Sequence, residues 1–190
     1  MALLCLKGLY LVDDMKHSQS QSPKCFLLIT TGLGTGGAEA MLMRVVSQLR
    51  QEGHHIHVVN LTSLRDHQAT LEAQSVTIYN APLSRPLAAI STLWHVRKQM
   101  KSAKPLAIIG WMYLGNLISS LLHLCLPQGP KLIWSVRQSL DFWASEKLST
   151  KCAIWLSRFM SGRVDDVIFN AHFQNANIVN LDLVVKNILL

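Results

Sequence analysis

Charge is scarce in this 190-residue chain, and acidic charge scarcest. Asp, Glu, Lys and Arg together make up 15% of it, against 49% hydrophobic residues. That balance rules against an intrinsically disordered chain, which needs the opposite proportions. Only 11 Asp and Glu face 18 Lys and Arg, a net charge of +7. The excess suits anionic partners (a phosphorylated ligand, nucleic acid or an acidic membrane face), and equally the solubility of an ordinary basic protein. Cysteine is sparse and unpatterned. Cys5, Cys25, Cys125 and Cys152 form no C-x-x-C pair and have no histidine at zinc spacing. A disulfide framework and a zinc site are therefore disfavoured, and a reducing compartment fits best. No G-K-[ST] follows a glycine cluster, which removes the P-loop nucleotidases. Internal repeats and low-complexity segments are lacking too. What is left is one domain long enough to bury a core.

An uninterrupted hydrophobic run is also missing. Residues 105–130 carry no Asp, Glu, Lys or Arg, but Gly110, Gly115, Asn116, Ser119, Ser120 and His123 break them up. They read better as a buried strand followed by a helix than as a membrane span, because a lipid-exposed helix tolerates few such groups. The first 24 residues open like a signal peptide without a basic start, and Lys7 interrupts the apolar run. They are read as a flexible extension, with Met15 as an alternative start. At the other end "VVKNILL" has no cap and no polar tail, so the chain is expected to be cut short.

What is present is alternation. "KCFLLITT" (24–31), "HIHVVNL" (55–61), "VTIYN" (76–80), "LAIIG" (106–110), "KLIWSV" (131–136) and "DVIFN" (166–170) read as strands. Between them, helical spacing runs from Ala38 towards Gly53, from Pro86 to about Lys101, over 114–125 and from Glu146 to Met160. Strands apolar on both sides, separated by helices, predict an α/β fold: a parallel sheet covered on both faces. In the last helix Leu148, Cys152, Trp155, Leu156 and Phe159 separate from Lys147, Lys151 and Arg158. The first set is the expected core side; contact with an anionic membrane is the sharper alternative. His54, His55 and His57 cluster without a carboxylate or cysteine at ligand spacing, so no metal site is expected.

"ITTGLGTGGAEAML" (29–42) sets glycines between the first strand and the first helix. Such a turn presents main-chain N–H groups and the positive end of a helix, both suited to a phosphate. Gly32, Gly34 and Gly37 satisfy G-x-G-x-x-G, but the second strand ends in Asn60-Leu61-Thr62 without the ribose-binding acid; the nearest acid, Asp66, lies beyond it. Glu39, in the first helical turn, needs no role beyond stabilising the dipole.

"GLGTGGAEAMLMRVVSQLRQEGHHIHVVNL" resembles the opening of family 4 glycosyltransferases of the GT-B fold. "IIGWMYLGNLISSLL", "LIWSVRQSLD" and "DDVIFNA" resemble, in order, that family's acceptor-site segment, its next strand and loop, and the strand before the interdomain crossing. The resemblance covers 25 to about 172. It implies a Rossmann-like N-terminal lobe, 25–190 here, that binds the acceptor, while a C-terminal donor-binding domain with its E-x7-E motif is absent. The tail "AHFQNANIVNLDLVVKNILL" lacks the usual passage into that domain.

By the same resemblance, Gly34, Gly36 and Gly37 line the donor diphosphate. Trp111, Tyr113, Asn116 and Ser139 face the acceptor, and Arg137 acts in catalysis. The implied activity is retaining transfer from a nucleotide sugar, in cell-surface polysaccharide or lipopolysaccharide assembly, on a sugar or lipid-linked acceptor. Neither a cofactor nor a metal is implied, nor nucleic acid as a partner. The implied place is the cytoplasm, including the inner membrane face. The isolated chain is expected to lack turnover. The glycines leave two other readings open: a free-standing sugar- or nucleotide-binding module, and a fragment of a Rossmann dinucleotide-binding oxidoreductase.

Overall fold

The computed structural model describes residues 22–126, 129–136 and 148–169. Six strands, β1 (Cys25–Thr30), β2 (His55–Asn60), β3 (Thr77–Asn80), β4 (Ala107–Trp111), β5 (Lys131–Val136) and β6 (Asp166–Phe169), lie where the apolar runs predict them. All pair in parallel, in the order β3-β2-β1-β4-β5-β6. The helices are α1 (Gly37–Gln51), α2 (Gln68–Ala73), α3 (Pro86–Ala103), α4 (Met112–Leu124) and α5 (Leu148–Met160). Pro86 occupies the first turn of α3, where its missing N–H costs nothing, and Lys104 closes that helix in the left-handed conformation.

The pleat sorts the core into two layers. Leu27, Ile29, Val59, Ile108, Leu132 and Trp134 pack under α3, α4 and α5, with Val96, Leu117 and Ile154 among their partners. The alternate residues Phe26, Leu28, Val58, Ala107, Ile109 and Ile133 meet Leu42 and Val46 of α1 and Leu71 of α2. Period-two alternation with both sides apolar is what a sheet buried on both faces demands.

The structure adds one helix and corrects one sequence reading. The segment between β2 and β3 contains the helix α2, too short and too polar to show a period. In α5 the expected core residues Cys152, Trp155, Leu156 and Phe159 are exposed, Leu148 lies outside the described side chains, and among the described ones Ile154 and Ser157 are buried. Both sides of that helix carry apolar groups, so periodicity could not choose between them; packing against α4 selects the narrower, smaller side.

Residues 105–130 divide between β4 and α4. Among the described residues no helix is long and apolar enough to cross a membrane. α4 starts with no intervening loop: Met112 has φ 67, a left-handed conformation uncommon for a side chain of its size, and turns the chain at once from strand to helix. Gly115 then lies directly on β1, where an added Cβ would strike the Ile29 carbonyl oxygen. Gly110 is equally confined, since a Cβ there would stand 2.6 Å from both the Asn116 Cα and its Oδ1.

Gly115→Ala is expected to destabilise the fold by roughly 1–3 kcal/mol, as overpacking against a main chain that cannot yield, whereas Gly37, with nothing within 4 Å of an added Cβ, tolerates alanine. Urea midpoints of the two variants check the contrast.

At the other end of the sheet, burial lowers the His54 and His57 pKa values below the ordinary 6.5; Glu52 opposes part of the His54 shift. His54 Nδ1 accepts the Lys24 backbone N–H at 3.4 Å, a bond that needs the neutral ring. Below pH 6.5 the unfolded chain therefore takes up protons that the native state resists. Stability is expected to be intact above that pH and to decline as pH falls further, a decline that His54→Asn/His57→Gln flattens in a melting series.

Candidate functional site

Strand order reverses between β1 and β4. At such a point the following helices depart to opposite sides of the sheet and open a crevice at the carboxyl ends of the strands. Here α1 leaves to one side and α4 to the other. The crevice rim is built from the loop 31–36, the ends of β4 and β5, and the loop after β2.

The glycines of the first loop divide into two kinds. Gly32 and Gly34 are buried. A Cβ on Gly32 would meet Thr62 Oγ1 at 2.9 Å, and one on Gly34 would meet Leu64 Cδ1 at 3.1 Å. They are bare so that the loop 61–67 can close over them. Main-chain bonds hold that closure: Leu33 N–H donates to the Leu64 carbonyl at 3.3 Å, and His67 N–H to the Leu33 carbonyl at 3.1 Å. Gly34, expected beside the donor diphosphate, is thus packed under the loop 61–67. Gly36 and Gly37 are exposed. Gly36 is extended, with φ −176 and ψ 170, and α1 begins after it with no side-chain cap. Neither local conformation nor crowding requires glycine at Gly37. A 15-residue helix begins there with no side-chain cap on its first N–H groups, an end with partial positive charge. The Glu39 carboxylate folds back against Gly36 and is the helix's own counter-charge.

Asn60 explains why the dinucleotide acid has no equivalent at the end of β2. It is fully buried. Its Nδ2 donates to the Leu64 carbonyl at 2.9 Å and to Asn80 Oδ1 at 3.2 Å, while its Oδ1 accepts from the Thr62 N–H at 3.2 Å. The position is spent on bracing the loop 61–67. That loop also carries Asp66, whose carboxylate lies 3.8 Å from where a Cβ on Gly34 would sit. The nearness of Leu64 and Asp66 to the glycine loop was not read from the sequence. The available signal was parallel pairing of β1 with β2, which sets the two following loops side by side.

Three expected acceptor residues are buried. Trp111 is 1% exposed, and its Nε1–H donates to the Ala38 carbonyl at 3.0 Å, across the crevice floor to the first turn of α1. Its ring lies in the core, and its indole pins the first turn of α1 to β4. Tyr113 packs in the layer under α4. Asn116 is 2% exposed and lies over Gly110, while its carbonyl accepts from the Ser119 and Ser120 hydroxyls at 2.7 and 2.8 Å. Ser120 Oγ in turn accepts the Trp134 indole N–H at 3.0 Å. The Asn116 Oδ1 itself is buried without a hydrogen-bond partner among the described residues. Arg137 and Ser139 lie outside the described residues; in sequence Arg137 directly follows β5, which ends at Val136. Among the described residues no group of three or more His, Cys, Asp or Glu stands together as a metal site.

The family model described as Glycosyltransferase Family 4 matches residues 35–185. No curated protein matches the chain. Among solved structures, MurG of Acinetobacter baumannii is similar with a TM-score of 0.53 and 17% identity, over 76% of this chain and 41% of that one. HepE of Anabaena, solved in complex with UDP, gives a TM-score of 0.63 and 13% identity, over 86% of this chain and 43% of that one. At those identities the two structures support the fold, and the chain spans less than half of either protein.

Trp111→Phe removes the indole donor and leaves a small void. A loss of roughly 1–3 kcal/mol in unfolding free energy is expected, with faster amide hydrogen exchange at the start of α1 as the local readout.

Proposed function

Because the chain belongs to Glycosyltransferase Family 4, we propose that it forms the acceptor-side lobe of an enzyme that transfers a sugar from a nucleotide-sugar donor. One observation carries this reading furthest. At the strand-order reversal Gly37 is open and Gly36 is covered by the helix's own Glu39, with no side-chain cap and nothing local demanding glycine at Gly37. Approach of an anionic group to the main chain gives that bareness a purpose. The UDP bound in HepE supports a diphosphate-bearing donor.

Sugar transfer leaves negative charge growing on the departing diphosphate while the ring becomes cation-like. Main-chain N–H groups at Gly37 and Ala38 offer fixed donors to such charge, with no reorganisation as it develops. Glu39 must swing aside for the anion to enter. Arg137, one residue beyond β5, is the proposed catalytic cation; its planar fork grips two phosphate oxygens where lysine offers a point charge. Ser139 is proposed for the acceptor hydroxyl. Trp111 serves by position, holding the loop to β4. Retention of configuration and a role in polysaccharide or lipopolysaccharide assembly complete the proposal. The acceptor is a sugar or a lipid-linked sugar, and the setting is the cytoplasm, where the free thiols of Cys25, Cys125 and Cys152 stay reduced.

One lobe does not orient donor and acceptor, a contribution worth up to about 7–11 kcal/mol, so these residues alone are expected to show no turnover. In a two-lobed form, Arg137→Ala is expected to lower kcat by about 10²–10³-fold without shifting the melting temperature. Titrating the chain with nucleotide sugars, free sugars and NAD(H) separates the alternatives: tight NAD(H) binding overturns the proposal, and tight free-sugar binding assigns a stand-alone binding module.

A further inference from the structure

The outward layer of α3, α4 and α5 is apolar and cationic. Leu87 and Trp94 are 84% and 65% exposed, and the three helices contain no Asp or Glu. An apolar groove of about 220 Å³ runs between α3 and α4. It reaches Arg97, whose Nε–H donates to the Cys125 carbonyl at 2.9 Å.

One helical turn further along α3 the surface changes character. A cavity of about 340 Å³ opens there, with Met100, Lys101, Lys104, Leu106, Leu126 and Pro130 in its walls. That size falls within the range of about 300–1,000 Å³ usual for small-molecule pockets. Leu106 and Pro130 immediately precede β4 and β5, so the cavity lies at the amino ends of the strands, opposite the crevice.

Main-chain bonds fix its walls. Lys104 N–H donates to the Met100 carbonyl at 3.0 Å, Leu106 N–H to the Cys25 carbonyl at 2.8 Å, and Lys131 N–H to the Leu106 carbonyl at 3.0 Å. His123 Nε2 lies 3.0 Å from the Pro130 carbonyl and ties that wall to α4. Gly129 gives the imidazole room, since an added Cβ would stand 2.8 Å from Nε2.

The lining divides by chemistry. Met100 and Leu126 are buried and form an apolar floor, whereas Lys101 and Lys104 are exposed. Among the described residues neither ammonium has an ion-pair or hydrogen-bond partner. No acid occurs in the sequence from residue 73 to 140, and Asp165 is spent on the Leu132 N–H at 2.8 Å. The negative end of α3 gives one lysine a use without any ligand. It does not account for Lys104, which caps the helix in the left-handed conformation, φ 46 and ψ 66. Glycine would avoid the strain of a Cβ there. A lysine at a position that favours glycine points to a role for its side chain.

We propose that this cavity binds a small organic anion, a carboxylate or phosphate monoester on a compact apolar body. The body rests on Met100, Leu106 and Leu126, and the anionic group lies between Lys101 and Lys104. Unpaired cations above a hydrocarbon floor select against neutral molecules and against inorganic anions alike. The site does not depend on the sugar-transfer reading, because Gly36 and Gly37 lie at the other end of the sheet.

Calorimetric titration of the full 190-residue chain with phenyl phosphate tests it. Phenyl phosphate and benzoate are expected to bind, benzyl alcohol and inorganic phosphate to bind about tenfold more weakly or worse, and UDP not to displace the first two. Lys101→Gln/Lys104→Gln is expected to weaken phenyl phosphate binding by about tenfold or more, with an unchanged melting temperature because both groups are exposed. Lys104→Gly alone is expected to lose affinity while keeping or raising the melting temperature; unchanged affinity would leave Lys104 as a helix cap only and overturn the proposal. Absence of phenyl phosphate binding overturns it, as does equal affinity in wild type and the double variant. Displacement by UDP assigns the anion to the crevice and overturns it as well.

Discussion

The contact on which the site depends is that between Gly115 of α4 and the Ile29 carbonyl of β1, main chain against main chain with no room for a methyl group. It holds α4 tight under the first strand, while α1 departs from that strand's end to the other side of the sheet. Divergence of two helices from adjacent parallel strands makes the crevice. Met112, in its left-handed conformation, lets α4 begin immediately after β4, and Trp111 spans the resulting gap to Ala38. Strain at one residue and a hydrogen bond at its neighbour thus fix opposite walls of the same cleft.

The glycines around that cleft answer to three separate demands. Gly110 and Gly115 admit close helix–strand packing, Gly32 and Gly34 admit the loop carrying Leu64, and Gly36 and Gly37 leave a helix end open. A motif match treats the first-loop glycines as one device. Their surroundings separate them, and the two that match the dinucleotide pattern most visibly, Gly32 and Gly34, are consumed by internal packing.

The sheet was legible because parallel strands buried on both faces must be apolar at successive positions, and β1, β4 and β5 each show an unbroken run. Pro86 and Gly53 mark a helix start and a helix end for local reasons that do not depend on tertiary context. α2 was illegible because its six residues offer a single buried anchor, Leu71. The outward side of α5 was misread because two apolar stripes compete there and only the location of α4 decides between them. Trp111, at the end of a strand, has the same sequence context whether it faces a ligand or the core; its partner Ala38 is 73 residues away, a separation no local pattern encodes. Asn60 was read by what it lacks, a carboxylate, and what it does instead depends on Asn80 and Leu64, brought to it by folding.

The apolar, cationic layer and the crevice occupy different sides of the molecule, and their relation has a mechanical consequence. α3, α4 and α5 cover a face of the sheet, whereas Gly36, Gly37 and the end of β5 lie on its edge, at the strand termini. That layer runs parallel to the strands, so the edge opens beside it rather than through it. α4 contributes to both places, since its first turn forms the crevice wall and its last turn carries Leu121 and Leu124. Its thirteen residues span about 20 Å at 1.5 Å each, which sets how far the rim stands from the groove. The Gly115 contact that seats this helix against β1 therefore also fixes the height of the cleft relative to that outward layer.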